Sequence, residues 1–356
     1  RSTPKPSSAA SDVYKRQAYL EARRSYQPRK DFNWTHPIVY FAGKKTGWNI
    51  LDEKDSSQSL QIFRKNYMSI KLQAQNGTEF KIKRSAQSSE KLEPFNKDLF
   101  KKLDDIGVSC VWTAEAYGYD AVTPLAYFSA LTNNMNIGSG IMQIPARTPA
   151  MTAMTAVTLD QMSKGRFRLG LGVSGPQVVE GWHGVPYGKP LAKTREYVEL
   201  VRNIIKREGK VEHNGEYYEL PLSGENTTGL GKPLKLIDQP FRDEIPIYLA
   251  AVGLKNVEMT AEIADGWLPF MYSPLKGEEI YKDSLTNGFK KSGVSDKKDK
   301  FEIVTTVIGR VCDEEEVDEY LYPARNVYTL YVGGMGAKSK NFYYNLFCEY
   351  GYDRIL

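Results

Sequence analysis

The chain has 356 residues, 41% of them hydrophobic and 26% charged, enough for one large domain with a well-buried core. Its net charge of +5 belongs to the first segment: residues 1–67 carry 13 Lys and Arg against 6 Asp and Glu, which leaves 35 against 37 for residues 68–356. A nucleic-acid or membrane partner is therefore not expected, because either would need a clustered basic face on the folded part.

In chain order, residues 1–67 open as RSTPKPSSAASDVYKRQ, with no apolar stretch of the kind a signal peptide needs. The first methionine is Met68, and the alternating MSIKLQAQN that it begins predicts a first strand, so residues 1–67 are expected to be a leader, disordered or foreign to the folded unit. Phe95, Leu99, Leu103 and Ile106 share one helical face before Gly107, and Val108 to Thr113 reads as a buried strand. The pattern then alternates. Helices are expected over Pro124 to Leu131, Pro149 to Met162 and Leu191 to Arg207, with strands over Met135 to Ile141 and Arg166 to Val173.

The Asn214-Gly215 pair between alternating residues signals a β-hairpin insertion over roughly residues 209–232, whose glycines suggest a mobile lid over a pocket mouth. Strands at Ile245 to Ala250, Gly266 to Phe270 and Phe301 to Val311 follow, separated by helices at Lys255 to Ala264 and Glu278 to Lys291. Strands that are nearly all followed by helices predict an α/β fold, a (β/α)8 TIM barrel, with a doubly wound sheet as the rival. The run Gly170-Leu171-Gly172-Val173-Ser174-Gly175 matches GxGxxG and favours the rival on its face. A dinucleotide fingerprint, however, follows the first strand and opens a helix directly, whereas this run comes fourth in strand order with its first glycines inside the strand.

Three cysteines, Cys110, Cys312 and Cys348, form no CxxC pair. This argues for a reducing compartment, against a disulfide scaffold or zinc ribbon, and for no metal site. No stretch of roughly 18 apolar residues occurs, so no helical membrane span is expected and a cytoplasmic location is the default.

The segments MSKGRFRLGLGVSG, EIADGWLP (Glu262 to Pro269) and VWTAEAYG (Val111 to Gly118) together resemble the bacterial luciferase-like superfamily, and within it the coenzyme F420-dependent oxidoreductases. The similarity extends over about Val108 to Leu356. It implies a TIM barrel that binds a flavin-like cofactor at the C-terminal ends of its strands and moves a hydride. An FMN-dependent two-component monooxygenase and a non-catalytic flavin-binding relative are the alternatives. Relatives continue past the position of Leu356, so a chain lacking the last barrel strand is expected. Members commonly form homodimers.

Residue by residue, the resemblance places a non-prolyl cis peptide at Gly140-Ile141, behind the cofactor ring. Gly172 and Ser174 of the glycine-rich loop lie on the cofactor's side. Ala250-Ala251-Val252-Gly253 matches the segment whose amides hold the cofactor phosphate, and a strand end running into a helix start suits an anion; a plain tight turn is the other account. Glu115 matches a carboxylate near the cofactor, but the adjoining position, a catalytic histidine in several relatives, is Ala116.

His183, in the loop after the fourth strand, is the best substitute for proton transfer, with Glu180 and Tyr117 next; a structural hydrogen bond is the alternative for His183. Arg147 could meet a phosphate or the acidic tail of F420, or simply pin its loop through an ion pair. Trp182 could stack on a ring or pack on the barrel rim. His36 and His213 read as surface residues, and the tyrosines from Tyr320 to Tyr352 as core and interface. The substrate is expected to be a small organic molecule that no residue names.

Overall fold

The computed structural model describes residues 72–73, 79–80, 97–225, 227–273, 275–306, 327–334 and 341–353. The expected leader, residues 1–67 with His36, lies outside the described residues, as does Cys312. The strand predicted after Met68 forms, but as β1 (Leu72–Gln73) paired antiparallel with β2 (Glu79–Phe80) rather than as the first parallel strand of the sheet.

From α1 (Lys97–Asp105) onward, strands and helices alternate as the periodicity predicts: β3 (Cys110–Thr113), α2 (Val122–Leu131), β4 (Asn136–Ser139), β5 (Met142–Gln143), α3 (Pro149–Met162), β6 (Phe167–Gly172), α4 (Pro176–Gly181), α5 (Pro190–Lys206). A small ribbon, β7 (His213–Asn214) and β8 (Glu219–Leu220), interrupts the alternation. It resumes with β9 (Ile247–Ala250), α6 (Leu254–Ile263), β10 (Gly266–Leu268), α7 (Gly277–Ser292), α8 (Lys297–Lys300) and β11 (Glu302–Ile303). Of the strand predicted over Phe301 to Val311, Glu302–Ile303 forms, and the part beyond Thr306 lies outside the described residues.

Every pairing in the main sheet is parallel, and its order β3-β4-β6-β9-β10-β11 is the order of the chain, with β5 also against β6. A doubly wound sheet reverses direction at a switch point. None occurs among the described strands, so the rival architecture is excluded and the sheet is a parallel half-barrel.

Alternation along the strands sorts side chains to two faces. Val111, Ile137, Phe167, Leu169, Leu171, Ile247 and Leu249 join the core beneath the helices. Cys110, Trp112, Tyr248, Leu268 and Val304 form a second cluster on the inner face. Glycines make room for it. A Cβ on Gly138 would lie 2.4 Å from the Trp112 ring, one on Gly266 2.2 Å from Tyr248, and one on Gly170 only 1.8 Å from the Ser139 carbonyl oxygen. The first two glycines of the GxGxxG match, Gly170 and Gly172, thus serve close packing inside a curved sheet and lie within β6, while only Gly175 stands at a helix start, as the N-cap of α4.

At the N-terminal end of this face Arg168 donates to the Tyr248 hydroxyl and to Glu302, and the Tyr248 hydroxyl donates to Glu302 at 2.6 Å. Burial raises the pKa of the Tyr248 hydroxyl and of the Cys110 thiol beside this group, so both stay protonated.

The inserted hairpin differs from expectation in its turn. The loop between its strands has four residues, 215–218, closed by Gly215 N–H donating to the Tyr218 carbonyl at 2.9 Å. Gly215 is required by a neighbour instead of by turn geometry, since a Cβ there would sit 2.1 Å from Glu196 Oε1 on α5. Glu196 accepts from Tyr217 N–H (3.0 Å) and Tyr218 N–H (2.7 Å), and lies 3.0 Å from His213 Nε2. The surface reading of His213 is therefore corrected: its side chain is half-buried against α5.

The carboxyl-terminal residues form a separate unit with residues 273–282. There Asn341 caps α9 (Phe342–Glu349) by accepting from Tyr343 and Tyr344 N–H, and its amide donates to the Tyr331 and Val332 carbonyls. Tyr350 is buried, but Tyr328 and Phe342 are largely exposed.

Candidate active site

Beyond the C-terminal end of β3, two of the residues singled out in the sequence, Glu115 and Arg147, meet directly. Glu115 follows β3, its side chain 6% exposed, and accepts four donors: Arg147 through both guanidinium nitrogens, Ala121 N–H (3.0 Å) and Gln143 N–H (2.8 Å). A bidentate guanidinium pair with two backbone amides satisfies the carboxylate fully. Of the two accounts of Arg147, the loop-pinning ion pair is the one the geometry displays. Tyr197 of α5 supports this arrangement from behind: its hydroxyl donates to the Arg147 carbonyl at 3.2 Å, and burial pushes its pKa up to about 12.

The Gly140-Ile141 peptide bond is cis, as the resemblance implied. Ile141 and Ala250 flank Gly172, where a Cβ would meet the Ile141 side chain at 2.9 Å and Ala250 at 3.3 Å. Beyond the strand ends Ser174 (φ 59°) and Met271 (φ 60°) adopt left-handed backbone. Non-glycine residues pay of order 1 to 3 kcal/mol for such conformations, which concentrate at functional sites.

After β9, Ala250 to Gly253 lead into α6. Ala251 is buried, with its carbonyl accepting from Trp267 Nε1 at 2.9 Å. Gly253 is the N-cap, no side chain caps the helix, and a Cβ on Gly253 would meet nothing within 4 Å. Uncapped first-turn amides beside open space form an anion-binding arrangement.

His183 is half-buried, with Nε2 3.4 Å from Gln143 Oε1. Glu180 is exposed and lies against its own loop, accepting from Tyr187 N–H at 3.4 Å. Tyr117 and Trp182 are 53% and 68% exposed, open to solvent at the rim and not packed beneath it. The structure thus joins Glu115, Arg147 and His183 through Gln143, while Glu180 and Tyr117 stand apart from that network.

Gln143 and Tyr197 escaped the sequence reading. A signal for the first existed: Gln143 is the one polar side chain in the otherwise apolar run Ile141 to Ala146, and it is 3% exposed. Burial of an amide demands partners. An open groove of about 360 Å³ lies elsewhere, on α5, α6 and α7, lined by Leu191, Arg195, Lys255, Glu258, Glu262 and Lys291, outside this chemistry. Among the described residues no cluster of three metal-binding side chains occurs, and no helix is long and apolar enough to cross a membrane.

The family model described as luciferase-like monooxygenase matches residues 81–355. A Mycobacterium tuberculosis protein provisionally named a coenzyme F420-dependent oxidoreductase is 46% identical over 259 residues, 73% of this chain and 74% of the relative. The 5,10-methylenetetrahydromethanopterin reductase of Archaeoglobus fulgidus is 31% identical over 237 residues, 66% of this chain and 65% of its own. The chain thus spans about three quarters of the first relative and just under two thirds of the second. An F420-dependent secondary alcohol dehydrogenase, solved with an F420-acetone adduct, has a likeness of fold: TM-score 0.55 at 17% identity, over 74% of this chain and 79% of that one.

Proposed function

Because this chain belongs to the luciferase-like monooxygenase family, we propose that it is an oxidoreductase that uses coenzyme F420 to transfer a hydride to or from a small organic substrate. The observation that carries the reading is the 46% identity to the relative named as F420-dependent. The residues at the strand ends fit such a cofactor. Gly253 leaves open space beside uncapped amides where a phosphate would bind, and Gly172 keeps the inner face low beside Ile141.

When bound, the deazaflavin supplies the ring carbon that carries the hydride; the protein supplies position, charge and exclusion of water. Ala250 to Gly253 hold the phosphate, Gly140, Ile141, Gly172 and Ser174 face the ring, and Arg147 holds Glu115 as a rigid wall. His183 moves the proton that accompanies hydride transfer. Glu180 and Tyr117, on the rim, serve substrate entry. We assign residues 68–356 to the family's barrel fold, with the hairpin insertion as a cover. We further assign a cytoplasmic location, a homodimer and no nucleic-acid partner. A second reading, an FMN-dependent monooxygenase, is favoured by the description of the matching family.

The test is a titration of the full chain with F420 and FMN, followed by quenching of its five tryptophans, alongside Gly253→Asp. Asp at a vacant N-cap stabilises the helix by a few tenths of a kcal/mol, while its carboxylate occupies the anion position. The expected result is F420 binding that weakens at least about tenfold, over 1.4 kcal/mol, in a variant that melts no lower. Preference for FMN would shift the protein to the second reading, and binding of neither would overturn both.

A further inference from the structure

Gln143 makes a contact with each of its polar side-chain groups and with its backbone N–H. The N–H donates to Glu115 Oε1 at 2.8 Å, the side-chain Nε2 donates to the Ala116 carbonyl at 2.9 Å, and Oε1 lies 3.4 Å from His183 Nε2. A carbonyl oxygen only accepts, so the NH2 end of the amide has to face Ala116 and the oxygen end has to face the imidazole. An amide oxygen also only accepts, so the ring nitrogen opposite it carries the hydrogen. A neutral imidazole with hydrogen on Nε2 has its lone pair on Nδ1, and Nδ1 has no hydrogen-bond partner among the described residues.

We propose that Gln143 is a positioning residue that holds His183 as the Nε2–H tautomer, making Nδ1 the atom at which this site takes up and releases its proton. The inference rests on the reading of His183 as the proton-transfer group. The proton balance is closed: the neutral ring gains a proton at Nδ1 and becomes imidazolium with Nε2–H still on Gln143 Oε1, and release from Nδ1 restores it.

Glutamine suits the position because a donor is needed on one side and an acceptor on the other. A glutamate would set two acceptors face to face at Ala116, and a leucine would leave the carbonyl and the ring without partners. The 3.4 Å separation is at the long end of hydrogen bonding, as is common where a site tightens only around its substrate.

Nitrogen NMR of histidine-labelled full chain, without cofactor and above the pH of imidazole titration, reads the tautomer directly. With only three histidines in the chain, the His183 signals are those lost in His183→Gln. Hydrogen on Nε2 and a bare Nδ1 are expected in the native protein, the same tautomer in Gln143→Glu, whose carboxylate also accepts from Nε2–H, and a mixture in Gln143→Leu. Turnover in Gln143→Leu is expected to fall about tenfold or more, with KM little changed.

Hydrogen on Nδ1 in the native protein, or an unaltered tautomer ratio in Gln143→Leu, would overturn the proposal. If Gln143→Leu does not fold, the native spectrum and that of Gln143→Glu decide, and loss of the Nε2–H tautomer in Gln143→Glu would also sink it. Failure of the F420 reading looks different: no turnover with F420 in a protein whose His183 has the expected tautomer.

Discussion

The inner face of the sheet carries a guanidinium-carboxylate pair at each end, and the two differ in what they hold. At the N-terminal end Arg168 and Glu302 bind each other and Tyr248, all three on strands or immediately within them. Those bonds tie β6, β9 and β11 and end there. At the C-terminal end Arg147 and Glu115 both lie in loops, and the pair passes through Gln143 to His183, which keeps one ring nitrogen open. The same chemistry closes the sheet at one end and supports a reactive group at the other, as expected of a barrel whose lower rim serves stability and whose upper rim serves function.

Three substitutions sharpen or break this contrast. Glu115→Ala should have the largest effect, because Arg147, 18% exposed, and two amides lose their acceptor. Breaking a buried pair costs about 3 to 5 kcal/mol, so denaturant unfolding should register that loss, with cofactor binding lost as well. Arg168→Leu is expected to cost roughly 2 kcal/mol, less because Arg168 and Glu302 are each about a quarter exposed, and to leave cofactor affinity intact below its melting transition. Loss of cofactor binding in folded Arg168→Leu would dissolve the distinction between the two ends.

The smallest change in stability should come from His183→Gln, within about 0.5 kcal/mol for a half-buried rim residue. The same variant should lose about a hundredfold or more in turnover if the ring transfers a proton. Single-turnover kinetics beside thermal melts would check this inversion, and equal losses in both would make His183 a structural hydrogen-bonder.

Much of this is legible in the sequence alone. Pro149 to Met162 was bounded correctly because proline at a helix start and Gly165 (φ 82°) beyond its end are local signals. The buried strand read over Val108 to Thr113 is equally legible, because its run is apolar on both faces and all of Cys110–Thr113 is buried. The hairpin was legible too, but its glycine was assigned to the wrong cause, since the carboxylate that demands it, Glu196, is on another element. His213 was misplaced for the same reason.

The sequence by itself therefore determined most of the order and type of the elements and the parallel α/β class, because these depend on spacing along the chain, and its motifs carried the resemblance to the family. Only the tertiary structure decided which charges pair. Glu115 meets Arg147 across 32 positions, His183 meets Gln143 across 40, and Arg168 meets Glu302 across 134. No periodicity reaches that far: side chains so distant in sequence come within hydrogen-bonding range only when the curved sheet brings its strand ends together.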